Sequence, residues 1–186
     1  MRLFIALTLD EELLQEIRSL QAALKGYTDQ GLRLMPEDKL HLTLKFLGEV
    51  KEEQVAAVEA ALEKVATASS PFTLQLNGTG CFPESGDVRV VWAGISPQLA
   101  LSDCVERIES SLASLGFARE TGPFVPHITV ARIRGLEDST RLRCTTARGS
   151  ISPCSQDVTS IKLMRSDPRA DGTHYVLQRE YPLGNR

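Results

Sequence analysis

Two of the chain's three histidines stand in the same four-residue frame, "HLTL" over His41–Leu44 and "HITV" over His127–Val130. Side chains alternate along an extended strand, so His41 and Thr43 share one face while Leu42 and Leu44 share the other. The same parity joins His127 to Thr129, opposite Ile128 and Val130. Imidazole exchanges a proton near neutrality, so one histidine can take a proton while a second, protonated, gives one. Threonine hydroxyls beside them can donate to non-bridging phosphate oxygens, where positioning and charge stabilisation carry much of phosphoryl-transfer catalysis. Two such pairs facing one cleft suit in-line attack at phosphorus with no metal.

The elements that must carry these residues are legible from periodicity. "RLFIALTL" reads as a first strand, and Asp10 caps a helix with Leu13, Leu14, Ile17, Leu20 and Leu24 on one stripe. "LHLTLKFLG" is the first motif strand. A second helix from Glu52 carries Val55, Val58, Leu62 and Val65. "FTLQL" and "VRVVWAGI" read as strands separated by the turn-rich "NGTGCFPESGD". A third helix with Leu101, Val105, Ile108, Leu112 and Leu115 stops at Gly116. "FVPHITVARI" is the second motif strand, and "VTSIKLMRS" and "THYVLQREYPL" close the chain around "DPRADG". Helix, loop and motif strand thus recur, which predicts one α+β domain over 1–186. It is built of two similar lobes, roughly 1–98 and 99–186 as sequence halves, with exchange of strands allowed.

A length of 186 residues with 42% hydrophobic and 24% charged content fits an ordinary globular domain. A net charge of −3 argues against bulk polyanion binding, so nucleic-acid contact should be local. A basic run, Arg132, Arg134, Arg141, Arg143 and Arg148, reads as a solvated loop. Cys81, Cys104, Cys144 and Cys154 form no CxxC pair and suit free thiols in a reducing compartment. The amino-terminal apolar run meets Asp10, Glu11 and Glu12 at once and is not a signal peptide. The expectation is a cytoplasmic protein without membrane spans, with no obligatory protein partner, and monomeric.

Both motifs in matching context, together with "RLFIALTL", "LHLTLKFLGEV", "VVWAGI", "FVPHITVAR" and "IKLMRSDPRADGTHYVL", make the chain resemble the 2H phosphoesterases. Within them it is most similar to the RNA 2',3'-cyclic phosphodiesterases, historically 2'-5' RNA ligases. The resemblance runs essentially end to end. It implies a bilobal LigT-like fold: two pseudo-twofold-related sheets, helices on their outer faces and a central cleft. It also implies metal- and cofactor-independent hydrolysis of RNA 2',3'-cyclic phosphate ends, or of small cyclic nucleotides, to 2'-phosphates. On this resemblance His41, Thr43, His127 and Thr129 fall on the active-site positions; His41 is assigned as general acid to the departing 3' oxygen and His127 as general base to water, an order that the reverse reaction exchanges.

Phe46 matches a family aromatic that can stack a nucleobase. Strand parity, however, sets Phe46 among the leucines and favours packing unless a bulge intervenes. Arg132 can bring a cation to the phosphate, although parity sets it opposite His127. Tyr175 and Arg165 are cleft candidates that nothing in the sequence orients. Trp92 reads as core and His174 as a surface residue. Three alternatives compete. A metal-dependent phosphohydrolase lacks paired His and Asp ligands. A non-catalytic RNA- or nucleotide-binding module leaves the doubled pair unexplained. Reversible 2'-5' ligation as the main activity would have to run without a visible ATP-binding motif.

Overall fold

The computed structural model describes residues 1–134, 142–143, 146, 151–170 and 172–184, the side chain of Gln30 excepted. Among the described residues nine strands and three long helices follow along the chain. They are β1 (Arg2–Thr8), α1 (Glu11–Leu24), β2 (Leu32–Leu34), β3 (His41–Glu49), α2 (Glu52–Thr67), β4 (Phe72–Phe82), β5 (Val90–Ile95), α3 (Leu99–Ala113), β6 (His127–Ile133), β7 (Ser155–Val158), β8 (Ser160–Arg169) and β9 (Gly172–Pro182). Every pairing among them is antiparallel, in the order β7-β4-β5-β6-β3-β1-β8-β9, with β2 lying against β6.

The two motif strands meet at the centre of this order through a single residue pair, Leu42 with Ile128. On one side stand β3, β1, β8 and β9; on the other stand β6, β5, β4 and β7. The first half joins strands from both ends of the chain, whereas the second is drawn from its middle, with β2 added along β6. The stretch read as one strand, "VTSIKLMRS", is in fact split at Thr159, because β7 pairs with β4 while β8 pairs with β1. The turn-rich "NGTGCF" is also extended: β4 runs through it to Phe82, with a register shift at Asn77–Gly78 that absorbs the glycines. Gly78 sits there at φ 71°, a conformation glycine adopts without a Cβ clash.

The helices cover the leucine face. The Asp10 carboxylate accepts from Leu13 N at 2.9 Å and starts α1, with Glu11 and Glu12 complementing the helix dipole. Leu13, Ile17, Leu20 and Leu24 of α1, Val58, Leu62 and Val65 of α2, and Leu101, Val105, Ile108 and Leu112 of α3 are buried. They join Leu3, Ile5, Leu7, Leu42, Leu44, Ile128 and Val130 in one apolar cluster beneath both halves. The opposite face is left for chemistry. Among the described residues no helix is long and apolar enough to cross a membrane. Cys81, Cys104 and Cys154 are free thiols; Cys144, Arg141 and Arg148 lie outside the described residues.

Candidate active site

The junction between β3 and β6 assembles the site. Leu42 faces Ile128, so extending that antiparallel register by one residue sets His41 opposite Thr129 and Thr43 opposite His127. All four project from the face away from the helices, and all four are half-buried. The burial sequence along His41–Leu47 repeats residue for residue along His127–Ile133. An antiparallel pair is locally twofold-symmetric, which accounts for the matching surroundings of the two motifs.

Each imidazole is held the same way. His41 Nδ1 lies 2.8 Å from Lys39 O, and His127 Nδ1 lies 2.8 Å from Val125 O. A carbonyl can only accept, so Nδ1 carries the proton on both rings, and the neutral forms keep the Nε2 lone pair for the cleft. Aromatic rings fix the other surfaces. His41 contacts Phe4 (centroids 5.0 Å apart) and meets Tyr175 edge-on at 5.2 Å. His127 meets Phe82 edge-on at 5.1 Å, with Trp92 at 6.5 Å. Burial lowers the His41 pKa below its ordinary value of 6.5; the positive charges of Arg132 and His127 push the same way, against the Lys39 carbonyl.

Strand parity fails just beyond each motif, and for one reason. Between β1 and β3 the register skips Leu44, from Ala6–Thr43 to Ile5–Lys45; between β5 and β6 it skips Val130, from Trp92–Thr129 to Val91–Ala131. A bulge at each place turns two consecutive side chains to the helix face and returns the next to the cleft. Phe46 and Arg132 therefore stand on the same face as the histidines, contrary to the parity argument for packing and for a surface role. Phe46 is 64% exposed with its ring 6.1 Å from that of Phe4. Tyr175, on β9, contacts both Phe4 and His41.

The bulge also sends Lys45 inward. Its ammonium donates to both Glu109 carboxylate oxygens and to Ala118 O, each at 2.8 Å, in an ion pair with side chains only 1% and 8% exposed. Lys45 thereby ties β3 to α3 and to the segment that leads into His127. A cleft of about 500 Å³ opens beside this tie, walled by Thr43, Phe46, Phe82, Phe124, Val125 and His127. That volume suits a nucleotide-sized ligand. Glu106 at its rim is bound by Arg119, two contacts of 2.6 Å, which holds the carboxyl below its usual range.

Trp92, expected in the core, is instead half-buried and pairs with Thr129 on the face of the histidines. It pairs across from Gly80, and a β-carbon there would lie within 3 Å of the indole, so the ring rests on bare backbone beside Phe82. Arg165 is committed to Asp167 at 2.8 Å, and His174 lies in β9 opposite Asp167. Arg143 of the basic run donates to the carbonyls of Glu84 and Gly86. Sequence reasoning missed Phe4, Phe82 and the Lys45–Glu109 pair. For Phe4 a signal existed, since Phe4, Ala6 and Thr8 alternate and Thr8 pairs with His41. No group of three His, Cys, Asp or Glu side chains suited to a metal occurs among the described residues.

A family model for LigT-like phosphoesterases matches residues 7–92, which include the first motif. A Methanothermobacter thermautotrophicus protein named RNA 2',3'-cyclic phosphodiesterase is 30% identical over 94% of this chain and 95% of its own length. The chain belongs to the LigT-like phosphoesterase family. Its fold agrees with that membership. A crystal structure of a Thermus thermophilus protein superposes with a TM-score of 0.83 over the whole of both chains at 28% identity. Escherichia coli LigT complexed with 3'-AMP superposes with a TM-score of 0.78 over 99% of this chain and 98% of that one at 30% identity. The LigT-like neighbours thus include one solved with a nucleotide bound.

Proposed function

We propose that the chain hydrolyses 2',3'-cyclic phosphate ends of RNA to 2'-phosphates, with the two imidazoles as acid and base. The observation that carries this is the matched pair of rings, each with Nδ1–H bound to a backbone carbonyl and Nε2 left for the cleft. The resemblance to proteins named RNA 2',3'-cyclic phosphodiesterase supports the substrate class. His127 Nε2 takes a proton from water as the water oxygen attacks phosphorus. The bond from phosphorus to the 3' oxygen breaks, and His41, entering the step as the imidazolium, delivers its Nε2 proton to that oxygen, leaving a phosphomonoester on the 2' oxygen. Thr43 and Thr129 donate to the non-bridging oxygens, where charge concentrates. Arg132 adds positive charge at the His41 end. Phe46, an exposed apolar ring beside the cleft, stacks the terminal base, and Tyr175 walls the His41 side.

The test is product analysis on a 2',3'-cyclic nucleotide and on an oligonucleotide ending in a cyclic phosphate, with EDTA present. The expected product is the 2'-phosphate, with kcat lowered about 10²- to 10⁴-fold by His41→Ala or His127→Ala. Replacing the 3' bridging oxygen by sulfur removes the need for leaving-group protonation, so it should restore His41→Ala but not His127→Ala. A 3'-phosphate product, or no turnover, overturns the reading; rescue of His127→Ala instead reverses the two roles.

A further inference from the structure

The pseudo-twofold around Leu42 and Ile128 is broken at one place. The three-residue strand β2 lies along β6 beyond the bulge, pairing Leu32 with Ile133, Arg33 with Arg132 and Leu34 with Ala131. Among the described residues no strand flanks the corresponding Lys45–Leu47 stretch of β3 on its cleft side; there the chain opens into the aromatic cavity instead. One arm of the cleft is therefore lined by Phe46, Phe82 and Phe124, whereas the other carries two arginines.

Those arginines are direct cross-strand partners. Leu32, Ile133 and Ala131 are buried on the helix side, and Arg33 and Arg132 are both exposed on the cleft side. Cross-strand partners have β-carbons roughly 4.5–5.5 Å apart, and like charges so placed are destabilising. The described residues supply no acidic partner for either guanidinium, although Arg18, Arg119, Arg165 and Arg179 all have one. The repulsive pair is nevertheless held firmly. Gln21 Nε2 donates to Met35 O at 2.8 Å and to Val130 O at 3.0 Å, clamping the end of β2 to the bulge, and Met35 N donates to Val130 O. Arg134 N donates to Gly31 O at the other end. A doubled cation fixed in place, with no acidic partner among the described residues and next to a phosphate-sized reaction centre, has the form of an anion subsite.

We propose that Arg33, beside Arg132, receives the phosphate immediately 5' of the terminal nucleotide, so that the enzyme selects the ends of polymers over mononucleotides. This rests on the cyclic-phosphodiesterase reading and deepens it. The terminal base occupies the aromatic arm, the cyclic phosphate lies between the histidines, and the next phosphate upstream falls on the arginine arm. The same chemistry could hold a mononucleotide's own 5'-phosphate, and the substrates below separate the two sources.

The experiment compares wild type with Arg33→Gln and Arg33→Lys on three substrates. They are a 2',3'-cyclic nucleotide with a free 5'-hydroxyl, the same nucleotide bearing a 5'-phosphate, and a pentanucleotide ending in a cyclic phosphate. Arg33→Gln should lower kcat/KM about five- to tenfold on the pentanucleotide, the range for one partly solvated charged hydrogen bond. Turnover of the 5'-hydroxyl nucleotide, which lacks that phosphate, should be unchanged. The slope of log kcat/KM against log salt on the pentanucleotide should become less negative by about 0.7, the value for one lost phosphate contact on a single strand. Arg33→Lys should fall between the two. A loss on the 5'-phosphorylated nucleotide but not on the pentanucleotide, an equal loss on all three substrates, or no loss on any overturns the subsite while leaving the reaction intact. A wild type that turns over none of the three overturns the cyclic-phosphodiesterase reading itself.

Discussion

The Lys45–Glu109 pair makes a quantitative prediction, because it is buried on both sides and geometrically saturated. Three contacts of 2.8 Å satisfy the ammonium, and both carboxylate oxygens are used. Glu109→Leu would leave a buried cation with a single carbonyl, and Lys45→Met would leave a buried anion against apolar walls. Removing one partner of such a pair costs about 3–5 kcal/mol, a large part of a total stability of roughly 5–15 kcal/mol. For a chain of this length each kcal/mol moves Tm by about 2–4 °C, so each single variant should melt about 6–20 °C lower. The double variant Lys45→Met/Glu109→Leu replaces both charges with apolar groups of similar volume and should return to within about 1 kcal/mol of wild type. Urea titrations of the four proteins give the coupling energy directly as a double-mutant cycle. The double variant, stable again, still lacks the bond to Ala118 O that steadies the approach to His127; its kcat should fall about ten- to a hundredfold, as misplaced catalytic groups do. Single losses under about 1 kcal/mol, or a double variant as unstable as the singles combined, would refute the assignment.

Two further predictions test the surroundings of the histidines. In the free protein the His41 ring should titrate below pH 6.5, holding its proton only beneath that midpoint, since burial, Arg132 and His127 all disfavour the cation. Arg132→Gln should raise the midpoint, as should saturation with inorganic phosphate; an NMR titration that finds it above 6.5, or unmoved by the substitution, contradicts the electrostatic account. Gly80→Ala should destabilise by about 1–3 kcal/mol, because its β-carbon meets the Trp92 indole. Trp92 is the single tryptophan, so emission should report its displacement, and an unchanged spectrum and Tm would show that the ring is not seated on Gly80.

Parity from the sequence sufficed to put His41 with Thr43 and His127 with Thr129, because within each four-residue frame the strands are regular. The helices were equally legible, since Leu13, Ile17, Leu20 and Leu24, or Leu101, Val105, Ile108 and Leu112, repeat at the period of one buried face. The bulges at Leu44 and Val130 were not. Neither place carries the glycine that marks some bulges, and Leu-Lys and Val-Ala fit a regular strand as well. What depended on them was hidden together: parity weighed Phe46 toward packing, set Arg132 opposite His127, and gave no sign of the Lys45–Glu109 pair. Strand β2 was too short for any periodicity, and Trp92 sat in an apolar run whose buried and cleft faces look alike until Gly80 is found beneath it.

The bulges also resolve a conflict that the doubled motif creates. A twofold pair of His-Thr strands is well suited to hold a phosphorus atom between two equivalent imidazoles, yet a nucleotide end is not symmetric. If both strands stayed regular, the cleft side past each motif would show Lys45 and Ala131 rather than Phe46 and Arg132. Skipping one residue on each strand keeps the core pattern intact, since Leu44 and Lys45, like Val130 and Ala131, both turn to the helices. In the same step it brings an apolar ring to one arm and a cation to the other. The asymmetry is then reinforced by neighbours: β2 adds Arg33 beside Arg132, while the segment held by Lys45 adds Phe124 beside Phe46 and Phe82. The two imidazoles thus keep matching backbone support, while the difference between the two arms begins at the bulge just past each motif.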